Sequence, residues 1–172
     1  MNKKHFIILT SILLVLIIGL TVNKEKVDAA PYGASQFYTT PVATRGTWYY
    51  KENHKIKKWV ITAHTSNGRK LYKILPNKSY TYWYNRLTKQ STRKLIKTND
   101  WLGNHMWQAY TFRWHGITSF NSNGWLAGAG DGIYYVPVNK YKNGEYVKAL
   151  RFGGGARNWL DFYAYKDKNL VR

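Results

Sequence analysis

No cysteine occurs in the 172 residues, so no disulfide can staple this chain and its fold must rest on a packed core. The same absence excludes a lipid anchor carried on a cysteine behind an export signal. Acidic residues are scarce, with 8 Asp+Glu against 27 Lys+Arg, and the net charge is +19 with His neutral. Such an imbalance repels itself in a compact state and is tolerated for solubility or for a polyanionic partner. Only four prolines are present, and there is one long hydrophobic run, Phe6 to Leu20. The C-terminal Lys168-Asn169-Leu170-Val171-Arg172 carries neither a second such run nor a sorting motif.

The hydrophobic run sets the expected compartment. Lys3 and Lys4 precede it and the small residues Ala29-Ala30 follow it. A charged start, an apolar stretch and a small-residue site at Val27-Asp28-Ala29 read as a secretory signal over residues 1–29. The alternative is an uncleaved membrane anchor, for which Phe6 to Val22 is at the short edge of what a span needs. Either way the chain beyond it is expected outside the membrane, secreted or associated with the cell envelope. Its polyanionic partner would then be a cell-wall polymer or an anionic membrane surface, and intracellular nucleic acid is not expected.

Aromatic residues are plentiful: eight Trp, fifteen Tyr and six Phe. Period-two alternation is read in Trp59-Ile61-Ala63, Tyr80-Tyr82-Tyr84, Tyr110-Phe112-Trp114 and Leu160-Phe162-Ala164, each predicting a strand. Turns are predicted at Ser66-Asn67-Gly68, Asn121-Ser122-Asn123-Gly124, Gly130-Asp131-Gly132 and Asn143-Gly144, where a positive φ is cheap. Lys89 to Thr98, Gly103 to Met106 and Gly153-Gly154-Gly155 read as loops or irregular links. The expectation is an all-β fold, a single antiparallel meander closed into a barrel or folded into a sandwich. An extended leader over 30–44 precedes one β domain over 45–172.

Two stretches resemble known families. Arg45-Gly46-Thr47-Trp48-Tyr49 resembles the first-strand G-x-W-Y signature of the lipocalins and the wider calycin group. The resemblance implies that Gly46 admits the chain to a barrel and that Trp48 plugs its closed end. It further implies an arginine of a late strand stacked over that tryptophan, here Arg151 with Arg157 as the alternative. No Thr-Asp-Tyr second motif follows. The same T-R-G-T-W-Y-Y start, with Lys57-Lys58-Trp59-Val60-Ile61-Thr62, is similar to small exported proteins of lactic-acid bacteria, which implies a Gram-positive source. Ile133-Tyr134-Tyr135-Val136 followed by Tyr141-Lys142-Asn143-Gly144-Glu145-Tyr146-Val147-Lys148-Ala149 is similar to the cell-wall-binding segment of lactobacillar surface-layer proteins.

Catalytic chemistry finds little to stand on. Beyond the signal the carboxylates are Glu52, Asp100, Asp131, Glu145, Asp161 and Asp167, and a glycosidase needs two of them across a cleft. No H-x-H or H-E-x-x-H joins His64, His105 and His115, and no G-x-S-x-G occurs. The glycine-rich segments at 128–132 and 153–155 read as tight β corners and not as phosphate loops. No catalytic residue, metal or cofactor is assigned. The leading expectation is a non-enzymatic module that holds anionic envelope polymer through Lys57, Lys58, Arg69, Lys70, Lys73, Arg93, Lys94 and Lys97. Tyr80, Tyr82, Trp83 and Tyr84 would stack on sugar rings. The alternatives are a calycin-type carrier of a small apolar ligand and an unrecognised hydrolase.

Overall fold

The computed structural model describes residues 32–74, 78–127 and 130–171, with the backbone alone for 78–80. The predicted signal and residues 128–129 lie outside the described residues. Ten strands form one sheet: β1 (Ala34–Phe37), β2 (Gly46–Glu52), β3 (Lys55–Ile61), β4 (Thr65–Ser66), β5 (Arg69–Ile74), β6 (Met106–Trp114), β7 (Ile117–Gly124), β8 (Ile133–Lys142), β9 (Glu145–Gly154) and β10 (Trp159–Tyr165). Between β5 and β6 run two helices, α1 (Lys78–Thr88) and α2 (Thr92–His105). Short 3-10 turns occupy Val42–Thr44 and Lys168–Leu170.

The sheet closes on itself. Its order is β1-β5-β4-β3-β2-β10-β9-β8-β7-β6, and β6 pairs back to β5. Every pairing is antiparallel except β5 with β6, where Lys70, Leu71 and Tyr72 face Met106, Trp107 and Gln108 in parallel. A parallel neighbour cannot be reached by a tight turn, and the helical pair is the connection that reaches it. The all-β meander is therefore present, closed as a barrel.

Two-residue turns set the register. Asn53-His54, Asn67-Gly68, His115-Gly116 and Asn143-Gly144 all hold both residues at positive φ, the backbone that matches the twist of a tight hairpin. Those at Asn67-Gly68 and Asn143-Gly144 follow the sequence reading. Asn53-His54 and His115-Gly116 were invisible to it because histidine is not a turn residue by type.

Alternation then sends one set of aromatic rings inward. Trp48, Tyr50, Trp59, Phe120, Tyr135, Phe152 and Phe162 share the central core with Ile61, Leu71, Leu150 and Ala164. Phe120 stacks on Tyr135 at 4.2 Å between ring centroids, Phe152 on Phe162 at 4.5 Å and Phe162 on Tyr50 at 4.5 Å. The fully buried phenol in this column is satisfied: Tyr135 Oη accepts from Ser66 Oγ at 2.9 Å and from Ser122 Oγ at 3.2 Å. Ser66 Oγ in turn accepts from Trp59 Nε1 at 2.9 Å. Burial pushes the Tyr135 phenol up to about 12.

A second, smaller core lies under the helices. Leu87 of α1 and Leu102 of α2 pack with Ala34, Tyr72, Met106 and Trp125. Trp125 Nε1 donates to the Tyr32 carbonyl at 2.9 Å, tying the chain ahead of β1 to the segment after β7.

Five local expectations are corrected. Tyr80-Tyr82-Tyr84 belongs to helix α1, because a five-residue alternation is short enough to satisfy either period and Leu87 needs the helix to reach the second core. Lys89 to Thr98 is a short turn running into α2, and Gly103 to Met106 is the end of α2 and the start of β6. The helix-spaced apolar residues Leu95 and Leu102 were the missed signal. Asn121 to Gly124 is the last half of strand β7, and Gly153-Gly154 ends β9, with the turn beginning at Gly155.

Candidate functional site

The predicted cationic residues fall into three places. Lys57 and Lys58 are consecutive on β3, so they point to opposite faces of the sheet. Lys57 Nζ donates to the Glu52 carboxylate, a pairing that holds its pKa above the usual range. Arg69, Lys70 and Lys73 lie on β5. Arg69 is structural there: its Nε donates to the Gly103 carbonyl at 3.1 Å and its guanidinium covers the Trp107 ring at 4.8 Å. Lys70 is exposed and lines a cleft of about 210 Å³ with Trp101 and His105. Lys73 edges another of about 320 Å³ where β5 and β6 diverge.

Arg93, Lys94 and Lys97 are exposed on α2, and here the fold adds what the sequence reading missed. Arg86 and Lys89, at the end of α1 and in the turn behind it, border a groove of about 430 Å³ with Tyr82 and Asn85. Arg86 Nη1 donates to Tyr82 Oη at 2.8 Å, and its guanidinium lies 5.7 Å from the Trp83 ring centroid. The stretch from 86 to 97, which spans the end of α1, the turn and the first half of α2, thus carries five cations, and Asp100 is the one acidic residue between 81 and 105. No acidic side chain occupies the first turn of α2, where the helix dipole already adds positive potential. Spacing of 3–4 residues from Arg86 through Lys89 and Arg93 to Lys97 was the available signal.

The predicted aromatic set does not form one stacking face. Tyr82, Trp83 and Tyr84 occupy successive helical positions and diverge around α1. Tyr82 and Tyr84 are exposed, while Trp83 meets Tyr32 edge-on at 5.6 Å. The side chain of Tyr80 lies outside the described residues.

Of the expected structural trio, Gly46 and Trp48 sit together and Arg151 does not join them. Gly46 has φ +106, and a Cβ there would collide with Lys166. Trp48 is 2% exposed, and its Nε1 donates to the Thr44 carbonyl at 2.7 Å. The cation over its ring is Lys166, with Nζ 3.8 Å from the centroid. Arg151 points to the outer face of the sheet, over Trp114 at 5.3 Å, and Arg157 is exposed in the turn before β10. The reason is parity: Arg151 lies between the inward Leu150 and Phe152, so its side chain leaves the barrel.

The histidines are dispersed. His64 Nδ1 bonds the Tyr38 carbonyl at 2.9 Å, His105 Nδ1 bonds the Trp101 carbonyl at 2.8 Å, and His115 forms a turn. Among the described residues no three His, Asp or Glu side chains come together as a metal site. Nor, among them, is any helix long and apolar enough to cross a membrane. Compared with known protein families, with curated proteins and with solved structures, the chain matches none.

Proposed function

We propose that this protein is an exported, non-enzymatic barrel that holds anionic polymer of the cell envelope on its helical pair. The observation that carries this reading is the run of Arg86, Lys89, Arg93, Lys94 and Lys97 across the end of α1, the turn behind it and the start of α2, with Asp100 the one carboxylate between 81 and 105. The Tyr82 ring beside Arg86 gives a flat apolar surface next to the charge. Rings stacked through the barrel interior weigh against the carrier alternative, since a barrel of this size either fills with side chains or holds one small ligand.

Contacts to a polyphosphate act largely through displaced counterions, so retention should fall steeply with salt. The test uses washed Gram-positive cells and a purified glycerol-phosphate teichoic acid. Reversing Arg86, Lys89, Arg93, Lys94 and Lys97 to Glu should lower the salt needed for release and flatten the salt dependence. Reversing Lys57 and Lys58, which lie apart on β3, should do much less. Equal retention of the five-site variant and the parent would end the proposal.

A further inference from the structure

The outer face of strand β7 buries polar side chains. Its inward residues are Phe120 and Ser122, so Ser119, Asn121 and Asn123 project outward, yet all three are buried. The cover comes from larger side chains on the flanking strands. Asn121 lies opposite Tyr110 of β6 on one side and Tyr134 of β8 on the other. Phe112 meets Tyr134 edge-to-face at 5.4 Å. A side-chain hydrogen bond joins Tyr110 to Tyr134, and burial together with that bond pushes the Tyr110 phenol up to about 12.

Beneath this roof the amides are unpaired. Asn121 is 0% exposed, and neither its Nδ2 nor its Oδ1 has a hydrogen-bond partner. Asn123 Oδ1 is likewise unpartnered. Across Tyr134 lies Gly153 of β9, and over Gly153 lies Asn158. Asn158 Oδ1 accepts from Arg151 Nη1 at 2.7 Å and its carbonyl from Nη2 at 2.6 Å, while its Nδ2 has no partner. The backbone makes room for these amides. A Cβ at Gly132 would collide with Asn123, and one at Gly153 would collide with Asn158.

Buried polar groups in native proteins are nearly always paired, because an unpaired one carries its full desolvation cost. Amides gathered on one wall, with glycines cleared for them, do not serve stability. Their chemistry restricts the partner. Asn121 and Asn123 offer acceptor oxygens, which a bare anion cannot use. Asn121 offers a donor, as does Asn158 beside the Arg151 guanidinium, and a cation can use neither. A sugar ring presents hydroxyls that donate and accept along its edge and C–H groups on its face. Tyr110, 47% exposed, with Phe112 and Tyr134, offers aromatic rings to that face.

We propose that the outer wall of β6, β7 and β8 is a binding site for a neutral sugar ring, with the Asn121 amide hydrogen-bonding adjacent hydroxyls under the Tyr110–Tyr134 clasp. Entry requires those two rings to part. The site is separate from the cationic helical stretch and does not depend on that reading, and its binding should be insensitive to salt where the other is steeply sensitive.

The experiment uses the chain from residue 32 onward with its helices intact, titrated with an N-acetylglucosamine tetramer and, in parallel, maltotetraose. Side-chain amide resonances of Asn121 and Asn158 are followed by NMR, with Arg93 and Lys97 as reference positions. The expected result is perturbation of both amides by at least one oligosaccharide, without change at the helical stretch and without dependence on salt. Asn121→Leu should weaken binding about tenfold or more while leaving the melting temperature equal or higher. Tyr110→Leu, at a half-exposed position, should weaken binding in a folded protein even where Asn121→Leu fails to fold. Absence of amide perturbation by either sugar overturns the proposal. So does unchanged binding in both variants, or a melting temperature lowered in a folded Asn121→Leu, which would mean that a buried water already satisfies the amide.

Discussion

Lys166 Nζ lies 3.8 Å above the Trp48 ring and donates to the Arg45 carbonyl, closing the barrel end where β2 begins. Two residues before Trp48 on the same face of β2, Gly46 leaves the space that the ammonium fills. Desolvation by the surrounding chain lowers the Lys166 pKa, so the contact forms at some cost to the charge.

That arrangement separates three substitutions. Trp48→Ala should cost about 3–5 kcal/mol, because a fully buried ring is removed and the cavity cannot collapse. Lys166→Gln should cost about 0.5–1 kcal/mol, the range for a cation on a ring near solvent. Arg151→Gln should leave the Trp48 environment unchanged, since it lies on the other face. Denaturant titration of the three variants with tryptophan fluorescence checks the order; an Arg151 variant that shifts Trp48 emission as Lys166→Gln does would contradict it.

The β2–β3 turn carries avoidable strain. His54 sits at φ 62 in the second turn position and is exposed, where a side chain costs roughly 1–2 kcal/mol relative to glycine. Glycine also gains entropy in the unfolded chain, which offsets part of this. His54→Gly is expected to raise stability by about 0.5–1 kcal/mol, read as a higher denaturation midpoint at unchanged slope. A lower midpoint would show that the imidazole contributes more than its backbone costs.

Alkaline pH should unfold this protein through its tyrosines. Desolvation by burial raises the phenols of Tyr38, Tyr50, Tyr72, Tyr110, Tyr135 and Tyr165 in the fold, and Tyr110 and Tyr135 reach about 12. A raised pKa means that the folded state keeps protons the unfolded state has lost. The stabilisation is therefore complete below the ordinary phenol value of 10.0 and is lost as pH climbs from there toward about 12. Lys166, with its lowered pKa, contributes in the opposite sense, one group against six tyrosines. Tyrosinate absorbance and circular dichroism should change together in that window. Tyr135→Phe removes one of the two most strongly raised phenols and should move the transition to higher pH. A smooth tyrosine titration in a protein that stays folded would refute it.

Much of the fold was legible because it depends on near neighbours in the chain. The alternation through Trp59-Ile61 and Phe162-Ala164 is a local pattern, and strands β3 and β10 follow it. Asn143-Gly144 needs only its own backbone to make the β8–β9 hairpin. The candidate cationic stretch was half legible: Arg93, Lys94 and Lys97 stood out as charge, but Arg86 and Lys89 join them only once α1 and α2 form on either side of the turn at 89–91. Tyr80-Tyr82-Tyr84 misled because three alternating positions fit a strand as well as they fit a helix, and only burial of Leu87 against Leu102 decides.

By itself the sequence determined the absence of disulfides, the excess of positive charge, the aromatic supply for a core and the places where φ could turn positive. Those are properties of composition and of adjacent residues. Tertiary structure decided which alternating face points inward, because a one-residue shift in register exchanges the two. It also decided that Lys166 and not Arg151 meets Trp48, and that Asn121 is buried on an outer wall. Each of these depends on residues far apart in the chain being brought side by side when the sheet closes, through the parallel β5–β6 contact that no local pattern announces.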